Sequence, residues 1–248
     1  MSLVFLLAAG IGIVLGALGG GGAILAMPIL LYVARVPARE AITISLIVVG
    51  ATSLVGALLK ARQSEVRFRQ GLVFAAAGMV GAFLGARVTA HVPPVFLVLG
   101  FAVLMLVAAV LMVRPVRPGQ PKVRPALVLP VGLAAGFLTG AVGAGGGFIV
   151  VPALALVLGV PTREAIGTSL LVIALQSFAG AAGQLVGVQI DWALAGGMVA
   201  AALLGVVAGT LGARKLPHLL LRRGFAGLMV IAAVYLGARQ LIDLAAGA

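Results

Sequence analysis

Gly19-Gly20-Gly21-Gly22 interrupts an apolar run that extends from Leu3 to Val33, and Gly143-Ala144-Gly145-Gly146-Gly147 interrupts a second run from Leu127 to Leu158. Glycine is the weakest ordinary helix former, so a cluster of it inside such a run marks a break in a helix. The first run has 31 residues. At about 1.5 Å per residue, a straight helix of that length overshoots a roughly 30 Å hydrocarbon core by half. Two half-helices meeting at the glycines fit better. The start of the second half-helix, the one that leads to Pro28, then exposes backbone N–H groups, which attract anions.

Outward from these breaks, composition settles the class. Apolar residues make up 63% of the 248 and charged residues 9%, with a mean hydropathy of +1.29. A soluble domain cannot hide that much apolar surface, so the chain reads as a polytopic membrane protein. Seventeen Lys and Arg against five Asp and Glu give a formal charge of +12. In a membrane chain this excess belongs to cytoplasmic loops rather than to nucleic-acid binding. There is no cysteine, which removes disulfides, thiolate metal sites and cysteine nucleophiles. Met1-Ser2-Leu3 lacks a positive n-region, and the first run reads as retained structure rather than a cleaved signal.

Sliding the chain by 124 residues matches 37 of 124 positions without a gap, among them Pro28 with Pro152, Pro37 with Pro161, and Arg39-Glu40-Ala41-Ile42 with Arg163-Glu164-Ala165-Ile166. The chain is an internal duplication, the usual construction of secondary transporters. Charge then orients the halves. Lys60, Arg62, Arg67 and Arg69 crowd one loop of the first half, whereas its counterpart, Gln184 to Asp191, has no Lys or Arg. One loop later the preference reverses, with Arg214, Lys215, Arg222 and Arg223 in the second half against Arg87 and His91 in the first. By the positive-inside rule the halves face opposite ways. The basic linker from Arg114 to Arg124 lies inside as well, so Leu127 to Leu158 must leave by the face it came from. The expected fold is all-α: two inverted-topology repeats, each a re-entrant broken-helix hairpin plus three transmembrane helices. The first repeat spans 1–113, with a hairpin at 3–34 and spans at 38–60, 70–92 and 95–113. A Pro-rich linker occupies 114–125. The second repeat spans 126–248, with a hairpin at 127–158 and spans at 162–184, 192–216 and 219–242. Gly71, Gly78, Gly81 and Gly85 lie at helical spacings that let two helices approach closely.

An anion between the halves would meet backbone N–H groups of Gly20, Gly21, Gly22 and Ala23, and of Gly145, Gly146, Gly147 and Phe148. The two breaks are expected to approach each other at the midplane. Behind them the second segments carry Thr43, Ser45, Thr52 and Ser53 in the first half, and Thr168, Ser169, Gln176 and Ser177 in the second. Hydroxyls in membrane helices also bond back to their own backbone, so packing and binding readings of them both stand. Gln176 is the sharper signal, because an amide at mid-bilayer is costly unless it faces a partner or a wet cavity. Arg39-Glu40 and Arg163-Glu164 read as helix starts and interface anchors, and Asp191 as the cap of a helix beginning at Trp192.

The pattern Gly-x-x-x-Gly-Ala-x-Gly-(Gly/Ala)-Gly-Gly-(Ala/Gly)-x-x-x-x-Pro, at Gly12 to Pro28 and again at Gly136 to Pro152, resembles the sulfite exporter TauE/SafE family. Ala165-Ile166-Gly167-Thr168-Ser169-Leu170 and the Gly-Ala-Arg of Gly85-Ala86-Arg87 and Gly212-Ala213-Arg214 carry the same resemblance. It implies a multi-pass carrier of the bacterial inner membrane for small sulfur-containing or organic anions such as sulfite, sulfoacetate or related organosulfonates. Relatives that take up thiosulfate place cysteines along the pathway, and this chain has none.

Enzymatic readings have no support. Gly19 to Ala26 lacks the Gly-Lys-Ser/Thr ending of a phosphate loop, and two isolated histidines make no zinc site. The expected partners are a small anion and the bilayer, without a cofactor or nucleic acid. A homodimer stays open, and so do a secondary carrier with alternating access and a passive anion channel of the same architecture.

Overall fold

Pro37 and Pro161 stand 124 residues apart, both extended (ψ 143° and 141°) and each directly before a long helix. Proline has no N–H to leave unpaired at a helix start. Its carbonyl accepts the first helical bond, from Ala41 in one half and Ala165 in the other, both at 2.8 Å. The structure, a computed structural model, describes residues 2–19, 22–88, 125–142, 159–185 and 188–213, with residues 103, 106, 109–110, 150–151, 153–154, 223, 227, 230–231, 233–235 and 237–238 besides. Its elements are helices: α1 Ser2–Leu18, α2 Ala23–Pro28, a π-helical turn Ile29–Val33, α3 Ala38–Ala61, α4 Phe68–Val88, α5 Pro125–Val142, α6 Thr162–Gln184 and α7 Trp192–Ala213. Among the described residues, α3, α4, α6 and α7 are long and apolar enough to cross a membrane. The expected spans at 95–113 and 219–242 and the linker at 114–125 lie almost entirely outside the described residues.

The first break is where the glycines put it. Gly19 takes a left-handed φ of 76°, which only glycine adopts without strain, and α1 stops there. The chain then doubles back on itself. A side chain at Gly22 would press on Ile11 and Leu15 of α1, and Leu30 joins Val4, Ala8, Ala41 and Ile44 in one buried cluster. Past Pro28 the helix widens into the π turn, and Val36 N–H reaches Leu30 O at 3.0 Å. The same bond recurs in the second half, from Val160 N–H to Leu154 O at 3.1 Å. Arg35 (φ 55°) takes the left-handed position that Gly159 (φ 63°) takes in the repeat.

Helix packing follows the duplication closely. α1 lies against α7, and α4 against α5. Glycines at repeat-related positions make both approaches. A Cβ on Gly12 would strike the carbonyl of Ala202, as one on Gly136 would strike Gly78; Gly16 and Gly140 meet Val206 and Ala82 in the same way. Reciprocally, Gly205 and Gly209 sit on Ala9 and Ile13, and Gly81 and Gly85 on Leu133 and Phe137. Such bare backbone contact is what small residues allow between apolar helices. The first helix of each half thus packs on a helix of the other half.

Between these two pairs lie α3 and α6. Of their apolar windows 67% and 72% are buried, against 44% for α4 and for α7, which makes α3 and α6 the inner layer. Leu72, Val80 and Leu84 of α4 and Leu204 and Leu211 of α7 face outward. The chain after α3 folds onto the first turns of α6: Arg67 N–H donates to Thr168 Oγ1 at 2.9 Å and Arg67 Nε to Glu164. The chain before α7 folds onto the first turn of α3, where Asp191 N–H donates to Glu40 Oε1 at 2.9 Å. α3 and α6 therefore run antiparallel. Within the first of these clasps, Lys60 is buried and its Nζ lies 2.7 Å from Glu65. Glu65→Ala would strand that ammonium, and we expect a loss of about 2 kcal/mol, below the full cost of a deep ion pair because the loop is partly wet. Thermal melting of the purified variant checks this; an unchanged midpoint would mean that Lys60 finds water instead.

Candidate functional site

The crossing of α3 and α6 is symmetric. A Cβ on Gly180 would lie 3.4 Å from Leu46, and one on Gly56 would lie 3.2 Å from Leu170, which are repeat-related contacts. Midway between them lie Ala51 on α3 and its counterpart Leu175 on α6, followed by Thr52 and Gln176. Ser53 and Ser177 follow directly.

Polar side chains on these helices divide into two kinds. Most are bonded within the fold. Thr43 donates to Arg39 O at 2.9 Å, Ser45 to Ile42 O at 2.8 Å, Ser169 to Ile166 O at 2.7 Å and Thr52 to Val48 O at 2.6 Å, the back-bonding expected of helical hydroxyls. Thr168 accepts from the loop, as described. Ser53 Oγ, Ser177 Oγ and Gln176 Nε2 are different. All three residues are fully buried, and these atoms have no partner. Thr139 of α5 donates to Ala135 O at 2.8 Å, and its Oγ1 lies 3.4 Å from one end of the Gln176 amide, whose other end is laid against the bare backbone of Gly78. An unpaired buried polar group costs about 1–3 kcal/mol, and three stand within two residues of the middle of α3 and α6. A fourth unpaired atom, Gln70 Oε1, lies eight residues before Gly78 on α4, about 12 Å away.

The first glycine break does not reach this level. A Cβ on Gly19 would lie 2.9 Å from Ser169 Oγ and 3.2 Å from Ile166, in the second turn of α6. The first break lies beside the second turn of α6, at the end of the 17-residue α1; the second break, and with it the expected meeting of the two, lies outside the described residues. Gly22 and Ala23 are buried beside it. Gly20, Gly21, Gly145, Gly146, Gly147 and Phe148 lie outside the described residues. Of the candidate side chains, then, the structure leaves Ser53, Gln176 and Ser177 buried and unpartnered near the middle of α3 and α6 and places Ser169 beside the first break. Thr43, Ser45 and Thr168 are bonded nearer the helix ends.

Charged candidates stay at the periphery. Asp191 Oδ1 accepts the N–H groups of Ala193 and Leu194, both at 3.0 Å, as the cap of α7. Arg87 rests over the Phe83 ring at 5.3 Å. The Glu164 carboxylate holds the Arg67 guanidinium above its ordinary value through their hydrogen bond. Thr139 was the polar partner that sequence reading missed; its signal is a lone hydroxyl in an otherwise apolar helix.

The sulfite exporter TauE/SafE family profile matches residues 4–236. A probable membrane transporter protein of Xylella fastidiosa (strain 9a5c) is 33% identical over 247 residues, covering 95% of this chain and 94% of the relative. The probable membrane transporter proteins YdhB and YunE of Bacillus subtilis (strain 168) are 27% and 28% identical, covering 86% of this chain in each case and 90% and 88% of the relatives. No solved structure matches. These names describe transporters rather than enzymes.

Proposed function

This chain belongs to the sulfite exporter TauE/SafE family, and from that premise we propose that it is a secondary transporter of a small sulfur-containing or organic anion across the bacterial inner membrane. The observation that carries the reading is the set of buried polar side chains without a partner, Ser53 and Ser177 on the facing helices α3 and α6, with Gln176 beside Ser177 on the side of α4 and α5. Donors left unmade at a cost of several kcal/mol are held for something the fold does not supply. In our reading backbone N–H groups at the two glycine breaks are the other donors. Ser169 beside Gly19 and Ser177 at the centre lie eight residues, about 12 Å, apart along α6.

Alternating access needs two halves that face opposite ways. Support comes from the antiparallel run of α3 and α6, with the 62–67 and 188–191 loops at opposite ends, and from α1 and α2 doubling back as a re-entrant hairpin would. Transport in proteoliposomes tests the function. A carrier gives saturable uptake and counterflow, whereas a channel of the same architecture gives single-channel currents and no counterflow. Topology has its own test. Because the chain has no native cysteine, Arg62→Cys and Val188→Cys should label from opposite sides of the membrane; labelling from one side would refute the inverted arrangement.

A further inference from the structure

Ser53, Gln176 and Ser177 are neutral donors, and among the described residues no charge stands at their level. Ionisable residues on α3, α4 and α6 sit near the helix ends: Arg39, Glu40 and Lys60 on α3, Arg69 and Arg87 on α4, and Arg163 and Glu164 on α6. α1, α5 and α7 carry none. The nearest along its own helix is Lys60, seven residues or about 10 Å beyond Ser53, and its ammonium is committed to Glu65 at 2.7 Å. Glu164 is twelve residues, about 18 Å, from Gln176 and is bonded to Arg67. The N-terminal ends of α3 and α6 face away from the crossing toward opposite ends of the molecule, so neither helix start lends it positive potential.

From this placement we infer that the anion taken at the α3–α6 crossing is singly charged. The inference rests on the transporter reading and narrows its substrate class. The cost of moving an ion out of water grows with the square of its charge, so a dianion incurs roughly four times the penalty of a monoanion. Neutral hydrogen bonds from side chains and backbone can offset the smaller penalty. With no cation at that level among the described residues, they cannot offset the larger one. Sulfonates and carboxylates with one negative group fit the site, and an oxyanion with a second acidic proton fits in its protonated form. Among the described residues no carboxylate or imidazole stands at that level, so the proton that accompanies such a substrate travels on the substrate itself.

Sulfite supplies the test, because it passes from hydrogen sulfite to the dianion near neutral pH while methanesulfonate keeps one charge. In liposomes holding the full-length protein, sulfite flux at fixed total concentration, measured above protein-free liposomes, should fall roughly tenfold for each pH unit beyond that transition. Methanesulfonate flux should stay within about twofold, and sulfate should compete with neither. A sulfite flux that holds or rises as the dianion takes over would overturn the inference while leaving a transporter in place. So would sulfate competing as well as methanesulfonate does. If methanesulfonate is not carried, the sulfite profile alone decides, since among the described residues no titrating group stands near the crossing. Absence of flux for all three anions would remove the transporter reading and this inference together.

Discussion

Replacing Ser53 and Ser177 together by alanine is expected to raise the melting temperature of the empty protein while weakening anion affinity by roughly 100-fold or more. The two effects share one cause. Each hydroxyl is buried without a partner, so removing it relieves about 1–3 kcal/mol of unmet hydrogen bonding in the resting protein. With substrate bound, each would donate to a charged acceptor, worth about 1.5–3 kcal/mol, and two such losses come to at least a hundredfold in a dissociation constant. A serine that merely fills space would behave oppositely, with stability unchanged or lowered and affinity intact. The parent protein is first screened for thermal stabilisation by sulfite, sulfoacetate, taurine, sulfate and small carboxylates. Titrating the best anion into parent and variant, with melting curves taken without it, separates the outcomes. Gln176→Leu should follow the same pattern more weakly in stability, because it also gives up the Thr139 bond.

The second large effect is on assembly. Alanine at both Gly136 and Gly140 places methyl groups on the backbone of Gly78 and Ala82, where no side chain can rotate away. α4 and α5 must then separate, and at about 1–3 kcal/mol for each overpacked site we expect loss of most folded protein. The same pair of changes at Gly12 and Gly16 should fail equally, since those glycines meet Ala202 and Val206. Alanine at Gly10, Gly196 or Gly212 meets nothing within 4 Å and should be neutral or stabilising by up to about 1 kcal/mol through helix propensity. Size-exclusion profiles and melting curves of the five variants in detergent decide the point. Equal behaviour across the two groups would mean that the helix pairs are looser than their backbone contacts imply.

Much of this was legible because the duplication repeats each signal. Composition gave a helical membrane protein, and the glycine motifs gave the family. Pro37 and Pro161 marked helix starts by removing a donor, Asp191 marked a cap, and the small residues of α4 marked a packing face. What stayed hidden depends on partners far away in the chain. Nothing at Glu164 or Glu40 indicates that they close onto Arg67 and Asp191, 97 and 151 residues off. Nor does the sequence distinguish Ser53 from Ser45: both are helical serines, but Ser45 bonds to Ile42 O and Ser53 Oγ has no partner. The neighbour of the first break is hidden for a related reason. Counting residues in an apolar run gives the length of α1 but not the level of the helix beside it.

The exchange of α1 and α5 between halves bears on how such a chain arose. Each half keeps its glycine-faced helix against the other half's backbone, so a single copy synthesised alone would present that groove empty. Joined in one polypeptide, each copy supplies the groove that the other fills, and the two need not stay alike, as Thr52 and Gln176 differ at related positions.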